Sequence, residues 1–522
     1  VNPTDLLADM RPWPMHGAAS TRVAERQAQA ELASHELMRR AGLSVARWLT
    51  ALHPHARSIA VLAGAGNNGG DGLVAAWHLH RQGRRVTVWR VGSARTVPED
   101  AAWALQQALE AGVDVRFGVP SDPALSPAAW PAGSPALWLD ALAGIGATRP
   151  AAGPLGDSIR FLQRARVPVL SIDVPSGLDA DTGTALGGLA VRAEATLSLL
   201  SIKPGLFMAS GRDHAGRIWF DNLGVAAPAP DARLISTAEA TPLRRRHAHH
   251  KGSFGDLVVV GGAPGMQGAA WLAARAALAA GAGRVHLSLL DPAPVPGARP
   301  WPSLMLRHAA WQEPDLLAAS TVVCGCGGGQ PLAALLPAVL AGSRRLLLDA
   351  DALNAVAVSP ELQDALRARS VRNQPTLVTP HPLEAARLLG ISAAEVQCDR
   401  LKAARLLAER LRCVVVLKGS GTVIARVGTF PAINPTGNAL LATAGSGDVL
   451  AGWMGGVWAS QDDATPETAA ASAAMSAVWL HGHAADLAAA SGRVAPLLAE
   501  QQIGAMAQAA AHGAGSSAEA LP

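Results

Sequence analysis

Ser58-Ile59-Ala60-Val61-Leu62 runs through Ala63 into Gly64-Ala65-Gly66-Asn67-Asn68-Gly69-Gly70-Asp71-Gly72, and then into a helix-forming stretch over 73–82. A short apolar run closed by glycines and followed by a helix opens a β-α-β unit. The glycines let the chain turn tightly and leave backbone N–H groups free at the helix N-terminus. Outward from this turn, apolar runs at 86–91, 113–117, 136–139, 167–172 and 196–200 alternate with helical patterns such as 100–111. That alternation predicts a parallel sheet wrapped by helices. Upstream, residues 1–56 read as helix, with a strong stretch over 24–40 and Gly42 as its stop signal.

After Val225 the pattern breaks into Ala226-Ala227-Pro228-Ala229-Pro230-Asp231, and a polar stretch follows as far as His250. The alternation then resumes, with strands expected at 257–260, 285–289, 321–324, 346–348, 376–378, 414–417 and 422–425. A helix should begin at Gly447, and an Ala-rich one should span 467–485. No repeat relates the halves, so two different domains are expected, 1–228 and 229–513, with a disordered tail over 514–522.

The chain has 522 residues, nearly half of them apolar, and a net charge of only +4. Arg244-Arg245-Arg246 is too short to make a nucleic-acid surface, so no nucleic-acid partner is expected. Cys324, Cys326, Cys398 and Cys413 lack zinc-site spacing and read as free thiols. No apolar segment follows a basic start, and the most apolar helix candidate, 269–282, is interrupted by Arg275 and too short for a bilayer. A cytoplasmic protein with no membrane partner is expected. His247, His249 and His250 lie in the polar stretch and read as solvated rather than metal-binding.

Gly64, Gly66 and Gly69 fit the Gly-x-Gly-x-x-Gly dinucleotide fingerprint. That fingerprint expects an acidic residue closing the second strand, yet this strand ends Trp89-Arg90-Val91-Gly92. Asn67, Asn68 and Asp71 instead add side-chain oxygens, which suit a hard cation. Two more strands end in carboxylates. Leu137-Trp138-Leu139-Asp140 runs into Ala141-Leu142-Ala143-Gly144-Ile145-Gly146, and Leu170-Ser171-Ile172-Asp173 into Val174-Pro175-Ser176-Gly177. All strand C-termini of a parallel sheet face one edge, so Asn68, Asp140, Asp173 and Ser176 should converge there. Any single aspartate so placed could instead cap the next turn.

These motifs, with Lys203-Pro204-Gly205-Leu206, resemble the NAD(P)H-hydrate epimerase domain over most of residues 20–225. The resemblance implies substrate contacts at Asn67, Asn68, Gly69, Gly70 and Asp71, at Gly144, Ile145, Gly146, Ala147, Thr148, Arg149 and Pro150, and at Asp173. It implies potassium at Asn68, Asp140 and Ser176. It makes Asp173 the acid/base that inverts the hydroxyl-bearing carbon of the hydrated nicotinamide ring. Arg39-Arg40 stand where the family usually shows Glu-Asn.

The second half carries its own constellation. His250-Lys251-Gly252-Ser253-Phe254-Gly255 precedes one strand, Asp349-Ala350-Asp351 closes another, and Thr379-Pro380-His381-Pro382 closes a third. The strongest element pairs Lys418-Gly419-Ser420-Gly421-Thr422 with Gly445-Ser446-Gly447-Asp448. A glycine turn opening a helix stabilises phosphate charge, and an adjacent aspartate can accept a hydroxyl proton. Asp349 and Asp351 could hold magnesium or simply cap the strand end.

This set resembles small-molecule kinases of the ribokinase kind and, more closely, the ADP-dependent NAD(P)H-hydrate dehydratase over roughly residues 240–510. The fold implied is α/β, with two three-layer αβα domains, an N-terminal Rossmann-like epimerase domain and a C-terminal ribokinase-like domain. The resemblance implies substrate contacts at Ala269, Gly327, His381 and Asp448. Nucleotide would touch Lys418, Gly419, Ser420, Gly421, Thr422 and Gly447. Asp448 would deprotonate the ring hydroxyl for phosphoryl transfer from ADP with Mg2+, giving AMP, phosphate and repaired NAD(P)H. The partners implied are NADHX, NADPHX and ADP, and a homo-oligomer is expected. Cys324-Gly325-Cys326-Gly327-Gly328-Gly329 stands where the family has Gly-Pro-Gly-Leu-Gly, and His381-Pro382-Leu383-Glu384 replaces His-Pro-Gly-Glu. The alternative within enzymes is a small-molecule kinase fused to a dinucleotide-binding domain; outside them, it is a nucleotide-binding regulatory protein.

Overall fold

The computed structural model describes residues 3–6, 11–92, 97–120, 137–240, 245–293, 301–461 and 465–516. Two compact units divide between Arg233 and Leu234. No helix among the described residues is long and apolar enough to cross a membrane.

The first unit is built on a sheet whose spatial order is Asp114–Phe117, Arg85–Arg90, Ser58–Ala63, Leu137–Ala141, Val169–Ile172, Ala195–Leu199 and Arg217–Asp221. All these strands are parallel, and the short Thr4–Asp5 adds antiparallel at the edge. In chain order this is 3-2-1-4-5-6-7, the doubly wound Rossmann-like arrangement. Its strand order reverses between Ser58–Ala63 and Leu137–Ala141. The central strands are buried on both faces, which is why they read as continuous apolar runs rather than alternating ones.

Helix Asn67–Arg81 follows the first glycine turn and lies tightly against the sheet. A Cβ on Gly64 would sit 1.8 Å from the Leu142 carbonyl oxygen, and one on Gly72 would sit 2.5 Å from Ala141 Cβ. Only glycine allows that approach. The N-terminal segment differs from its reading as one helix. Helices Ala18–Glu31 and Glu36–Leu52 are separated by a break, where His35 adopts a left-handed φ of 65°. Gly42 does not stop a helix; it lies within the second one, where a Cβ would meet Val74 Cβ at 2.4 Å. Its function is close packing of two helices.

In the second unit the order is Met305–Leu306, Arg284–Leu289, Asp256–Gly261, Ser320–Cys324, Arg345–Leu348, Thr376–Val378 and Val414–Leu417, all parallel. The antiparallel strands Val423–Ala425 and Ala432–Ile433 continue the sheet. Helix Ser446–Ala459 packs on Gln267–Ala279 through glycines. Cβ atoms on Gly452 and Gly456 would fall 2.0 and 2.3 Å from the carbonyl oxygens of Ala273 and Ala277. The Ala-rich helix runs over Pro466–Ala490. The final helix, Ala499–Ser516, takes in the first residues of the expected disordered tail, and 517–522 lie outside the described residues.

Candidate active sites

The carboxyl edge of the first sheet opens into a cavity of about 750 Å³. Its wall includes Asn67, Asn68, Asp71 and Asp173, together with the whole stretch Gly144, Ile145, Gly146, Ala147, Thr148, Arg149 and Pro150. Gly69 and Gly70, expected at the substrate, are not on this wall. Both are buried in helix Asn67–Arg81, where a Cβ on Gly69 would strike the Gly64 carbonyl and one on Gly70 would strike Met38. They serve the packing that holds Asn67 and Asn68 in place. Arg39 and Arg40 are also off the wall; Arg40 bonds Glu36 Oε1 and the Leu223 carbonyl oxygen.

Asp173 has a left-handed φ of 68°, strained for a side-chain-bearing residue. The surroundings hold it there. Its backbone N–H donates to Leu197 O at 2.7 Å, and Oδ2 accepts from the backbone N–H of Ile145 at 3.2 Å. Oδ1 pairs with Nζ of Lys203, a fully buried lysine that also donates to Leu199 O at 2.6 Å. The Lys203 ammonium is thus aimed at Asp173 from beneath. Gly144 closes over the same carboxylate, since a Cβ there would sit 2.6 Å from Asp173 Oδ2.

Asp140 is fully buried next to this cavity wall. Oδ2 accepts from the Ser176 N–H and Ser171 Oγ, both at 2.9 Å; Oδ1 accepts from Ser176 Oγ at 2.6 Å and Leu142 N–H at 3.2 Å. Burial nonetheless raises its pKa, and the bonds from Ser176, Ser171 and Leu142 only partly offset this. Asn68 has both side-chain polar atoms buried without a partner, and Asn67 Oδ1 is in the same condition. Asn68 Oδ1 would lie 3.4 Å from a Cβ on Gly144. Asp71 is held far above the usual carboxylate range by burial, then by the charges of Asp173 and Glu25. Glu25, on helix Ala18–Glu31 and on the cavity wall, is raised by burial as well.

Lys203 and Glu25 are two groups of this site that sequence reading left without a role. Lys203 carried a signal: it follows the apolar run Leu197-Ser198-Leu199-Leu200-Ser201-Ile202, so its charge had to be buried and paired. Glu25 carried none, being one carboxylate on an amphipathic helix. Arg90, where the fingerprint wants an acid, is buried and donates to the Gly64 carbonyl. The second strand therefore ends in a cation committed to the glycine turn.

In the second unit, the ends of four parallel strands bring together Cys326, Asp349, His381 and Lys418. The Lys418 ammonium donates to Asp349 Oδ1 at 2.6 Å, and Thr379 Oγ1 donates to the same oxygen at 2.6 Å. Burial works against the Lys418 charge, but Asp349 and Glu384 outweigh it and its pKa is raised. A Cβ on Gly447 would lie 3.5 Å from Lys418 Nζ, so the lysine reaches the N-terminus of helix Ser446–Ala459. Asp448, in that first turn, lies with Asp349 and the Cys326 thiol so that one ligand atom from each falls within 4.8 Å of the others. Burial, then the Asp349 charge, pushes the Asp448 carboxyl up to about 6. Asp351 caps the glycine turn, accepting from Gly329 N–H at 2.9 Å.

The remaining expected contacts fall around this group. Gly327 (φ 58°) packs on Ala269, whose Cβ would be 3.0 Å from a Cβ at 327. His381 caps helix Pro382–Leu389, its Nδ1 accepting from Leu383 and Glu384 N–H. Burial lowers its pKa, with Lys418 adding to the effect. The turn at Gly419, Ser420 and Gly421 closes through Thr422 Oγ1, which donates to Gly419 O at 3.0 Å. Beneath it lies Arg400, buried and unforeseen, donating to the carbonyls of Leu417 and Lys418. His249 and His250 each accept a nearby backbone N–H, and the His249 ring packs edge-on against Phe254.

Comparison with known proteins agrees with this division. The NAD(P)H-hydrate dehydratase family matches residues 257–506, and the family described as YjeF-related protein N-terminus matches 34–205. The bifunctional NAD(P)H-hydrate repair enzyme of Coxiella burnetii is 37% identical over 90% of this chain and 93% of its own. That of Escherichia coli is 36% identical over 88% and 86%. Among solved structures, the Bacillus subtilis ADP/ATP-dependent NAD(P)H-hydrate dehydratase co-crystallised with ATP and Mg2+ matches 54% of this chain and 98% of its own, at 27% identity and a TM-score of 0.44. The chain belongs to the bifunctional NAD(P)H-hydrate repair enzyme family, an epimerase unit followed by a dehydratase unit.

Proposed function

We propose that the first unit interconverts the R and S hydrates of NADH and NADPH, and that the second dehydrates the S form with ADP, releasing AMP and phosphate. The observation that carries this reading is a matched pair of sites, each with a carboxylate positioned for proton transfer. Asp173 faces a cavity large enough for a nicotinamide nucleotide. Asp448 stands at a helix N-terminus beside a lysine.

In the epimerase unit Asp173 would take the proton of the ring hydroxyl as the bond from that carbon to the ring nitrogen opens, the nitrogen gaining a proton, and would return it as the nitrogen recloses on the other face. The buried Lys203 fixes one carboxylate oxygen, leaving Oδ2 toward Gly144 and the cavity. A potassium ion fits the neighbouring residues: the unpartnered Asn68 Oδ1 is a ready oxygen ligand, and the buried Asp140, with Ser176, needs positive charge nearby. Bound there, it would compensate that charge electrostatically.

In the dehydratase unit Lys418 to Thr422 and the N–H groups of helix Ser446–Ala459 would hold the nucleotide phosphates. Asp448 takes the ring hydroxyl proton as that oxygen attacks the terminal phosphoryl group. The phosphorylated hydroxyl then leaves as phosphate, pushed out by the ring nitrogen, where hydroxide itself is a poor leaving group, and loss of a proton from the adjacent ring carbon to the departing phosphate restores the ring double bond. The Asp349 and Asp448 carboxylates suit Mg2+ and the Cys326 thiol does not, so the nucleotide's own phosphates would supply most of its ligands.

Absorbance recovery at the reduced-nicotinamide band, with mixed hydrate epimers, K+, Mg2+ and ADP, and ATP in parallel, tests the proposal. Recovery of the whole hydrate pool is expected. A plateau with one epimer left over means that the first unit is inactive. No recovery with either nucleotide overturns the assignment in favour of a small-molecule kinase.

A further inference from the structure

The helix that opens at Gly445 rests on a buried polar chain behind it. Gln502, fully buried on helix Ala499–Ser516, donates its amide Nε2 to the Leu497 carbonyl oxygen at 2.8 Å. Its other amide atom, Oε1, lies 2.9 Å from His481 Nε2. His481, on helix Pro466–Ala490, is also buried, and the same Nε2 lies 3.3 Å from Ser446 Oγ.

Elementary donor and acceptor rules determine every proton in this chain. A carbonyl can only accept, so Gln502 must present its NH2 to Leu497 and its oxygen to the histidine. That oxygen can only accept, so His481 Nε2 must carry the hydrogen. Burial lowers the His481 pKa, and the bond to Gln502 works the other way. A protonated Nε2 cannot accept, so Ser446 Oγ accepts a share of that hydrogen, and the serine's own proton remains free to be donated elsewhere. Ser446 is the first residue of the helix whose next two residues are Gly447 and Asp448. An anion at that N-terminus is the natural acceptor.

We infer that Gln502 and His481 are positioning residues that hold the Ser446 hydroxyl as a hydrogen-bond donor to a phosphate oxygen of the nucleotide. The inference rests on the proposed nucleotide site and adds to it a side-chain donor, with the two groups that set its direction.

The test uses the full-length protein and titrates ADP with Mg2+ by calorimetry, with steady-state kinetics in parallel. Ser446→Ala should weaken ADP binding by about tenfold or more, the value of a charge-assisted hydrogen bond, while KM for the hydrate stays within about twofold. Ser446→Thr, which keeps the hydroxyl, should restore most of the affinity. His481→Asn should weaken ADP binding in the wild-type background and add almost nothing to Ser446→Ala, because both act through one bond. A merely structural His481 would give effects that add. Unchanged ADP affinity in Ser446→Ala, or additive effects of the two substitutions, overturns the inference while the nucleotide site stands. If the wild-type protein binds neither ADP nor ATP, the site itself is wrong and the inference falls with it.

Discussion

Asp448 is held as an acid about two pH units away from where it would titrate in the unfolded chain, and the sign of that shift makes two separable predictions. Its folded pKa of about 6 lies above the ordinary 3.8, chiefly because burial disfavours the charge. A proton-accepting carboxylate must be ionised, so dehydratase turnover should fall as pH drops through about 6. Asp448→Asn should lose roughly 10²-fold or more above that pH, and the gap to wild type should narrow below it. Stability follows the opposite sense. A raised folded pKa means the native state binds the proton more tightly, so this group costs stability as pH rises above the unfolded value, levelling beyond about 6. Asp448→Asn should therefore melt a few degrees higher at pH 8 and unchanged at pH 4, the shift representing at most about 3 kcal/mol. An equal Tm gain at both pH values would contradict this account. Lys203 gives the contrasting case, a buried cation paired with the strained Asp173. Lys203→Met should abolish most epimerisation and destabilise the first unit by roughly 1–3 kcal/mol, read by denaturant melts, because the partly buried Asp173 carboxylate loses its cation. The carboxylates at these strand ends were legible from the sequence, since a charge closing an apolar run stands out. Arg400 and Glu25 were not, because nothing local marks a helical charge as turned inward.

Among the elements, the helices that carry both sites make their closest approaches to neighbouring backbone and helices at glycines. Gly452 and Gly456 let Ser446–Ala459 lie against the backbone of Gln267–Ala279, and the packing fixes where the helix N-terminus points. Gly452→Ala places a methyl 2.0 Å from a carbonyl oxygen, so the helices must separate. The expected cost is about 1–3 kcal/mol of stability, with a rise in the nucleotide KM, checked by chemical denaturation and initial rates. Gly42 plays the same part for the helix bearing Asn67 and Asn68. Its reading as a stop signal follows from intrinsic propensity, which knows only that glycine weakens a helix. The tertiary contact with Val74 overrides that preference and cannot be seen along one segment. Strands were placed well where both faces are buried and the apolar run is unbroken. Arg217–Asp221 escaped because, near the sheet edge, its sequence mixes charge with aromatic residues.

At the scale of the whole molecule, the described residues of each site come from one unit. Thr21 to Leu223 supply the cavity wall around Asp173, while Ala269 to Gln502 supply the groups around Asp448. Among the described residues no side chain named at one site is named at the other, so the two activities should be separable by single substitutions in the intact protein. Asp173→Asn should leave the initial rate of NAD(P)H recovery from the S hydrate within about twofold of wild type, and should leave the R hydrate behind on the assay timescale. Asp448→Asn should recover almost no NAD(P)H yet still bring a pure epimer to the R/S mixture, which chromatography can follow. Replacing K+ by Na+ should slow only the second of these measurements, if Asn68, Asp140 and Ser176 hold the ion. Were Asp173→Asn also to slow S-hydrate dehydration strongly, the units would be coupled beyond their separate side-chain sets. The two-domain plan was readable because the break after Val225 and the renewed alternation beyond it are long-range patterns. The pairing of Lys203 with Asp173, and of Lys418 with Asp349, depends on which strand ends become neighbours. That is decided by sheet order rather than by any one motif, so it became visible only in the fold.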